Sequence, residues 1–495
     1  MTKQLYITTA IPYVNGKPHI GNALDYLYAD IWKRYQEQQG NEVRFQMGTD
    51  EHGNKIAAKA AELGLDPQAY TDQMYGNFVK MASKVGAGFT DFIRTTDQQH
   101  QAAVQYIWQK LQPYIYKSTY TGWYCQGCES FITNKEAEAN GGVCPDHNQS
   151  YQRLEEENYY LKSSAFTEQI RAAIESDEMQ IVPEFRKKEF LELIKDGVQD
   201  VSISRPRKNL SWGVPVPGDD SQVMYVWLDA LANYITVLGY PNNPKWGEFW
   251  PADVQVIGKD ILRFHAGIWP AMLLGLGIEL PKKLLVHGFI NVGGAKISKS
   301  VGNVVDPGEI IDTYGLDAFR YFFARHIPTQ DDGDFTWEKF ENAYNGELGN
   351  DLGNLVQRVA SMITRYQAGV IGDVTSGEHD IRRYHEAMEA LEYNKAMDEI
   401  WISVRAANKL IETVKPWEVA KKAKEDPEAA AHLADILQGL VGTLLQVSGL
   451  LRPFLPDTAE KIHALFSEGM VKDQGILFPK QYIHTQDPRA KKPSA

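Results

Sequence analysis

The stretch Ala10-Ile-Pro-Tyr-Val-Asn-Gly-Lys-Pro-His-Ile-Gly-Asn22 joins two segments whose apolar residues follow different periods. Residues 5–9 before it are mostly apolar or β-branched, which is typical of a buried parallel strand. After it, apolar residues recur at helical spacing from residue 20 to residue 35, and Gly40 stands where a helix commonly ends. The prolines and the glycine at positions 12, 16 and 18 exclude regular structure in between. The stretch therefore predicts a strand, a tight loop and a helix, in that order.

His19 and Asn22 would lie at the N-terminus of this predicted helix. Unpaired backbone N–H groups and the positive end of the helix dipole meet there, which suits a phosphate group. A histidine that only caps the helix would explain the same residues. The stretch by itself leaves both interpretations open.

Length and composition limit the class of protein. A chain of 495 residues is too long for one hydrophobic core and predicts two to four domains. A hydrophobic content of 43% with 23% charged residues is typical of a globular protein, and we expect no membrane span and no secretion signal. Three cysteines indicate a reducing compartment, so we expect a cytoplasmic protein. The net charge of −13 counts against a nucleic-acid partner without excluding one, because a basic stripe can lie on an acidic protein.

A second strand, residues 42–48, follows the first predicted helix and ends in Thr49-Asp-Glu-His-Gly53. A helix over residues 54–63 then completes a βαβ unit, whose loops meet at the carboxyl ends of the strands. Asp50 would lie at such an end, where a carboxylate can bind the ammonium group of a ligand. A helix N-cap is the alternative role of an aspartate at this junction.

All three cysteines lie in one segment, as Cys125-Gln-Gly-Cys128 and Cys144-Pro-Asp-His147. Three thiolates and one imidazole at this spacing predict a closed tetrahedral zinc site, which is structural because no ligand position stays open. Three unrelated buried cysteines are the alternative.

An α/β pattern returns after Trp212. Strands are predicted over residues 223–227, 254–257 and 284–287, with helices that carry Tyr234 and His265 between them. Apolar periodicity predicts long helices over residues 348–366, 381–414 and 429–451. We therefore expect an α/β fold class: a Rossmann-like parallel sheet split by a zinc-binding connective module and followed by an all-α bundle.

Two lysines and two serines occur in Lys296-Ile-Ser-Lys-Ser300, which lies between Gly293-Gly294 and Gly302. Such a glycine-flanked loop can wrap a polyphosphate, since each lysine donates as a mobile point charge. Most short lysine-rich loops are solvated surface turns, which is the alternative here.

The two loops together resemble the two signatures of class I aminoacyl-tRNA synthetases. Ala10-Ile-Pro-Tyr13, Val226-Trp-Leu-Asp-Ala230, Gly258-Lys-Asp260 and the zinc knuckle resemble the methionyl-tRNA synthetase family, over about residues 4 to 455. Two positions depart from the family pattern. Asn22 replaces a histidine, and an amide can donate a hydrogen bond to a phosphate but cannot carry charge. Ile297 replaces a methionine of similar volume.

The resemblance implies ATP-dependent attachment of L-methionine to tRNA(Met) through methionyl-adenylate, with Mg²⁺ bound to ATP. The catalytic residues that it implies are His19, Asn22, Lys296 and Lys299. Those implied for ATP binding are His19, Gly21, Asn22, Lys296, Ser298, Lys299 and Ser300. Those implied for methionine binding are Ile11, Tyr13, Asp50, Trp227, Ala230, Tyr234, Ile261 and His265. Those implied for anticodon binding are Asn354, Arg358 and Trp417.

The predicted domains follow these motifs along the chain. They are a first catalytic half (1–115), the connective module with the zinc knuckle (116–212), a second catalytic half (213–290), the lysine loop with a connecting module (291–340), the helical anticodon-binding domain (341–480) and a disordered polar tail (481–495). The dimerisation module that some family members append has no counterpart here, so we expect a monomer.

Two other functions remain open from the sequence. A class I synthetase for a branched aliphatic amino acid would need a large editing insertion, since an apolar pocket separates near-isosteres by only about 1–3 kcal/mol. The connective segment is mostly occupied by the zinc knuckle, which disfavours that alternative. A non-catalytic zinc- and RNA-binding protein is the second alternative, and the presence of both Lys296 and Lys299 argues against it.

Overall fold

The computed structural model describes residues 2–125, 130–132, 134–145, 148–296, 305–372, 374, 380–471 and 475–485. Within them, the elements of the first α/β part are β1 (Gln4–Thr9), α1 (Ile20–Gln38), β2 (Glu42–Thr49), α2 (Asn54–Glu62), α3 (Pro67–Lys84), β3 (Asp91–Arg94) and α4 (Gln98–Lys110). The predicted strand–loop–helix unit and the second strand and helix are confirmed. Gly40 has a φ of +83° just after α1, as expected for a glycine that ends a helix.

The connective segment is built on a long antiparallel ribbon. Its elements are β4 (Ile115–Cys125), β5 (Ser130–Ile132), α5 (Asn134–Ala139), β6 (Gln152–Leu161), α6 (Thr167–Glu175), β7 (Gln180–Val182), α7 (Glu184–Leu193), β8 (Val201–Ser202) and β9 (Ser204–Pro206). Strands β4 and β6 pair from Ile115 opposite Leu161 to Tyr124 opposite Gln152, with β5 and β8 at the edges.

The second α/β part comprises β10 (Pro215–Val216), β11 (Asp219–Met224), α8 (Val226–Thr236), β12 (Val254–Gly258), α9 (Trp269–Leu276) and β13 (Lys283–His287). The predicted strand 223–227 is wrong at its end, because β11 stops at Met224 and α8 begins at Val226. Almost every residue of α8 is buried, so its apolar run showed no helical period that would separate it from a strand.

Six parallel strands form the central sheet, in the order β3-β2-β1-β12-β13-β7. Strand β7 comes from the connective segment and forms the edge next to β13. Because the strands are parallel, the loops after β1, β2, β12 and β13 meet at one edge of the sheet. The predicted parallel α/β fold class is confirmed.

The rest of the chain forms a connecting module and a helical bundle. Its elements are β14 (Ile290–Val292), β15 (Ala295–Lys296), α10 (Pro307–Tyr314), α11 (Leu316–Arg325), β16 (Gly333–Phe335), α12 (Trp337–Ala343), α13 (Asn354–Gln367), α14 (Arg382–Glu389), α15 (Tyr393–Val414), α16 (Pro416–Lys422), α17 (Pro427–Leu451) and α18 (Pro456–Ser467). The single helix predicted over 381–414 is two helices, because Leu391 adopts a left-handed φ of +57° that ends α14.

Helix α17 is long and apolar enough to cross a membrane by length and composition alone, contrary to the expectation of no such run. It packs against α15, α16 and α18, and its buried face includes Leu437, Leu444 and Leu451. This is the position of a core helix in the bundle.

Part of the predicted tail packs on the connecting module. The backbone N–H groups of Ile483 and His484 donate to the carboxylate of Glu341 in α12, which is itself buried. The prediction of disorder is therefore wrong for residues 481–485, because a buried carboxylate needs such donors. Residues 486–495 lie outside the described residues.

Arg320 in α11 joins helix α1, which follows the first strand of the parallel sheet, to the bundle. Its fully buried guanidinium forms an ion pair of 2.8 Å with Asp30 of α1. It also donates to the carbonyl oxygens of Pro453 and Phe454, between α17 and α18, at 2.8 Å and 2.6 Å. The Arg320 guanidinium thus connects α1 to the turn between α17 and α18.

Arg320→Met is expected to lower the free energy of unfolding by roughly 3–5 kcal/mol, because it leaves the buried charge of Asp30 and the carbonyl groups of Val85, Pro453 and Phe454 without this partner. Urea unfolding measures the loss. The matched control is Arg382→Met, which removes a 2.6 Å ion pair with Asp380 from an exposed site and should leave the free energy of unfolding almost unchanged, because solvent screens the pair. Equal losses in the two variants would contradict a structural role for the buried pair.

Candidate active site

The loop after β1 is tied to the end of β2 by backbone hydrogen bonds. The N–H of Asp50 donates to the carbonyl of Pro12 at 2.9 Å, and the N–H of Val14 donates to the carbonyl of Asp50 at 3.1 Å. Gly53 has a φ of +112°, and a Cβ there would lie 2.0 Å from the hydroxyl of Tyr13. A side chain at Gly53 would therefore push Tyr13 out of position.

His19 and Asn22 form the N-terminal cap of α1. The Nδ1 atom of His19 accepts from the N–H of Gly21 at 3.1 Å, and Oδ1 of Asn22 accepts from the N–H of His19 at 3.1 Å. A ring nitrogen that accepts carries no proton, so the proton of a neutral His19 is on Nε2. The capping role and the ligand role are thus compatible, because capping uses only Nδ1.

A cavity of about 710 Å³ opens at this edge of the sheet. It brings together the predicted residues Ile11, Tyr13, His19, Gly21, Asn22, Asp50, Trp227, Ala230, Tyr234, Ile261 and His265. They come from the loop after β1, the start of α1, the end of β2, helix α8 and the segment after β12. All eight residues predicted for methionine and three of those predicted for ATP therefore line one space.

Tyr234 and His265 form a buried hydrogen-bonded pair in the wall of this cavity. Nδ1 of His265 donates to the carbonyl of Ile261 at 3.0 Å, so Nε2 accepts from the hydroxyl of Tyr234 at 2.7 Å. Burial lowers the pKa of His265 to about 4, although the bond to Ile261 partly opposes this. Burial also raises the pKa of Tyr234. Both side chains are neutral at pH 7, which suits an uncharged polar group such as a thioether.

The rings of Trp227 and Phe264 stack with their centroids 3.6 Å apart and an interplanar angle of 7°. Phe264 begins a π-helical turn, Phe264–Ile268, which interrupts the predicted helix. Such single turns occur often at functional sites. The stacked pair forms an apolar wall of half-buried aromatic surface.

Sequence reasoning missed a second pair in the same cavity, Asp25 and His287. The Nε2 atom of His287 forms a short hydrogen bond with the carboxylate of Asp25, and both residues line the cavity. Burial opposes the charge on His287, but the neighbouring carboxylate outweighs it and raises the pKa of the imidazole. The signal available in the sequence was a carboxylate six residues after His19, in the predicted helix, and a histidine at the end of a predicted strand.

Several predicted residues lie elsewhere. Lys296 ends β15, opposite Asn291 of β14, while Ser298, Lys299 and Ser300 lie outside the described residues. Cys125 ends β4 opposite Ser130, and it belongs with Cys144 to one small buried cluster. Cys128 and His147 lie outside the described residues.

The three residues predicted to read an anticodon lie on the helical bundle. Asn354 begins α13 and is exposed, and Arg358 one turn later pairs with Glu412 of α15 at 2.7 Å. Trp417 is half-buried in the first turn of α16, just after α15 ends. The Arg358–Glu412 ion pair thus brings α13 to the end of α15 from which Trp417 follows.

A parallel sheet with a histidine-capped first helix, a facing ligand cavity and a helical C-terminal bundle has the form of a class I aminoacyl-tRNA synthetase. The family model described as tRNA synthetases class I (M) matches residues 5–156 and 148–360. A second model, described as the anticodon binding domain of methionyl tRNA ligase, matches residues 360–476. The chain belongs to the class I tRNA synthetases of the methionine type, so a synthetase family for branched aliphatic amino acids is excluded.

Similar proteins carry names of the same family. The methionine--tRNA ligase of Caldanaerobacter subterraneus subsp. tengcongensis is 42% identical over 97% of this chain and 79% of its own length. That of Thermotoga maritima is 36% identical over 99% of this chain and 80% of its own length. A crystal structure of Mycobacterium tuberculosis methionyl-tRNA synthetase bound by methionyl-adenylate superposes with a TM-score of 0.89, at 33% identity, over 96% of this chain and all of that one.

Because the pKa of His265 is lowered in the folded protein, we expect the free energy of unfolding to decrease as the pH falls. Its pKa is about 4 in the folded protein and about 6.5 when unfolded, so between these values only the unfolded state binds the proton. Stability is therefore lost as the pH falls below about 6.5, by about 2 kcal/mol between pH 7 and pH 5.

His265→Gln, which keeps an acceptor for Tyr234, should remove this part of the pH dependence. Urea unfolding at pH 7 and pH 5 measures it, with His432→Gln on the exposed face of α17 as the control. A His265→Gln variant with the wild-type difference between the two pH values would show that His265 is not held neutral.

Proposed function

We propose that this chain attaches L-methionine to tRNA(Met) in two ATP-dependent steps, through methionyl-adenylate. The observation that carries the proposal is the single cavity lined both by the capped start of α1 and by Asp50, Trp227, Tyr234 and His265. The methionine--tRNA ligases among its relatives and the similar structure with bound methionyl-adenylate support it.

The methionine half of the cavity has one charged and several neutral groups. Asp50, only 8% exposed, would bind the ammonium group, since a desolvated carboxylate is a strong partner for a cation. Ile11, Tyr13, Ala230 and Ile261 would surround the aliphatic part. Trp227 would cover the thioether, whose sulfur the neutral Tyr234–His265 pair would face.

The ATP half offers donors for phosphate and ribose. His19 through Nε2 and Asn22 through its side-chain N–H groups would donate from one side. Gly21 lies between them and would let ATP approach the backbone closely, while its own N–H donates to His19. Lys296, Ser298, Lys299 and Ser300 would close from the other side as charge builds on the leaving diphosphate. The methionine carboxylate would attack the α-phosphorus, and the bond between that phosphorus and the bridging oxygen of the diphosphate would break, so that diphosphate leaves with the electron pair. Mg²⁺ bound to ATP would supply charge neutralisation for the diphosphate.

We propose a structural zinc ion in the connective segment. The described half of the predicted ligand set, Cys125 and Cys144, is buried in one cluster on adjoining parts of the segment. Cys128 and His147 would complete four ligands, and the ion would then hold the end of the β4–β6 ribbon together. We propose that this zinc is structural and takes no part in the reaction, since four protein ligands leave no open coordination position.

The bundle would bind the anticodon of tRNA(Met). Asn354 and Arg358 present an amide and a guanidinium on one face of α13, and bases in a single-stranded loop are read by such groups and by stacking on aromatic rings. Trp417, half-buried, offers its exposed part for stacking. We further propose the domain division given by the motifs, a monomer, and a cytoplasmic location.

Asp50→Asn tests the methionine half. Methionine-dependent exchange of diphosphate into ATP should proceed in the wild type, and kcat/KM for methionine should fall about 100-fold in the variant, because an amide cannot neutralise a buried ammonium. Asp66→Asn is the matched control, since Asp66 is an exposed N-cap of α3 and asparagine caps equally well.

Two results would contradict the assignment in different ways. A wild-type protein that exchanges with leucine or isoleucine as well as with methionine, or with none, overturns the proposed substrate. A fully active Asp50→Asn variant overturns only the role of this carboxylate.

Trp417→Ala tests the bundle. The loss of one stacked base is worth roughly 1–3 kcal/mol, so aminoacylation of tRNA(Met) should fall about 10- to 100-fold in kcat/KM for tRNA. Diphosphate exchange without tRNA should stay near the wild-type rate, which serves as the internal control. The anticodon assignment would be contradicted if the variant lost both aminoacylation and diphosphate exchange, or if it kept both.

A further inference from the structure

Asp229 carries a buried carboxylate between two histidines that the mechanism above does not use. It lies in the first turn of α8 and is 1% exposed. Its Oδ2 binds Nδ1 of His52 at 2.6 Å, and its Oδ1 binds Nε2 of His100 at 2.9 Å. The other nitrogen of His100 binds the hydroxyl of Thr236 at 2.7 Å. Every polar atom of this carboxylate therefore has a partner.

The carboxylate of Asp229 is charged at pH 7. Burial by itself would favour the neutral acid, but the charge of His52 and the hydrogen bonds from His100 and His52 lower the pKa of Asp229 to about 2. Hydrogen bonds to a buried carboxylate are about twice as strong as neutral ones. The three side chains thus form a tight connection between α8, α4 and the loop after β2.

Helix α8 has two functional faces. Trp227, Ala230 and Tyr234, spaced three and four residues apart, face the ligand cavity. Asp229, Asn233 and Thr236 follow the same spacing on the neighbouring face. Asn233 accepts from the amide of Gln46 in β2 at 2.7 Å, so this face is anchored along about two turns.

The loop that carries Asp50 is anchored on its other side by Glu51. The carboxylate of Glu51 is fully buried and accepts from both Nε and Nη2 of Arg94 at 2.8–3.1 Å. It also accepts from the hydroxyl of Thr96 at 2.5 Å. Glu51 therefore ties the loop to β3, and His52, the next residue, ties it to α8 through Asp229.

We propose that Asp229 is a positioning residue for methionine activation: through His52 it sets the distance between Asp50 and the side-chain pocket on α8. This inference rests on the proposed function of the cavity. Methionine presents its ammonium group to Asp50 and its thioether to Trp227 and Tyr234, which belong to two separate elements. A ligand that bridges two elements binds well only if their separation is fixed in advance.

The proposal predicts a selective effect on methionine. Asp229→Asn keeps the volume but removes the charge, so the loop and α8 would be less strongly joined. KM for methionine in diphosphate exchange should rise about tenfold, while kcat and KM for ATP stay within about twofold. The reason is that methionine would be bound less tightly by the same amount in the ground state and in the transition state. Asp317→Asn is the matched control: it is the same change of a buried carboxylate in the first turn of a helix, α11, away from the cavity.

A double-mutant cycle with Asp50 separates positioning from general support of the fold. If Asp229 acts through Asp50, Asp229→Asn should raise KM for methionine less than about twofold once Asp50→Asn is present. A merely structural carboxylate would give the same tenfold rise in both backgrounds, and this additivity overturns the proposal.

A second pair of variants covers the case in which Asp229→Asn fails to fold. His52→Ala should raise KM for methionine about tenfold, whereas His52→Asn, whose amide can donate close to the position of Nδ1, should keep it within about threefold. Equal effects of the two His52 variants overturn the inference. Absence of methionine-dependent exchange in the wild type would instead overturn the proposed function on which it rests.

Discussion

The position of β1 at the centre of the sheet is the constraint on which the active site depends. It pairs with β2 on one side and with β12, which follows it by almost 250 residues, on the other, with Ile7 opposite Phe45 and Val254. Two parallel neighbours place the loop after β1 between the ends of both strands. The ligand cavity is the space that these loops and α8 leave, so residues from distant parts of the chain line it.

Buried ion pairs and charged hydrogen bonds fix the elements around that sheet relative to one another. Arg320 is paired with Asp30 and donates to the turn after α17, so the helix with the capped start is fixed against the bundle. On the other side of the sheet, Glu51 with Arg94 and Asp229 with His52 fix the loop that carries Asp50. Each of these charges is fully partnered, which is the condition under which a buried charge is tolerated. Such pairs define one relative position of two elements, whereas apolar packing alone allows several.

The parts of the fold that could be predicted were those with local signals. The apolar strands of the sheet, the break at residues 10–22 and the period of α17 all follow from neighbouring residues. The prediction failed where local signals are ambiguous: α8 is buried on nearly every side and was assigned partly to a strand, and Leu391 divides a helical pattern without a proline or glycine. The tail residues that bind Glu341 carry no local signal at all, because their order depends on a carboxylate some 140 residues away.

The sequence by itself determined the fold class, the family resemblance and the residue types of the candidate site, since strand and helix periods and short motifs are properties of adjacent residues. Only the tertiary structure decided which polar groups meet. The Asp25–His287 pair, the Tyr234–His265 pair and the connection of Asp229 to His52 join residues 31 to 262 positions apart. Their ionisation states also follow from the fold, because burial and a neighbouring charge set a pKa, and neither is encoded in the spacing of residues along the chain.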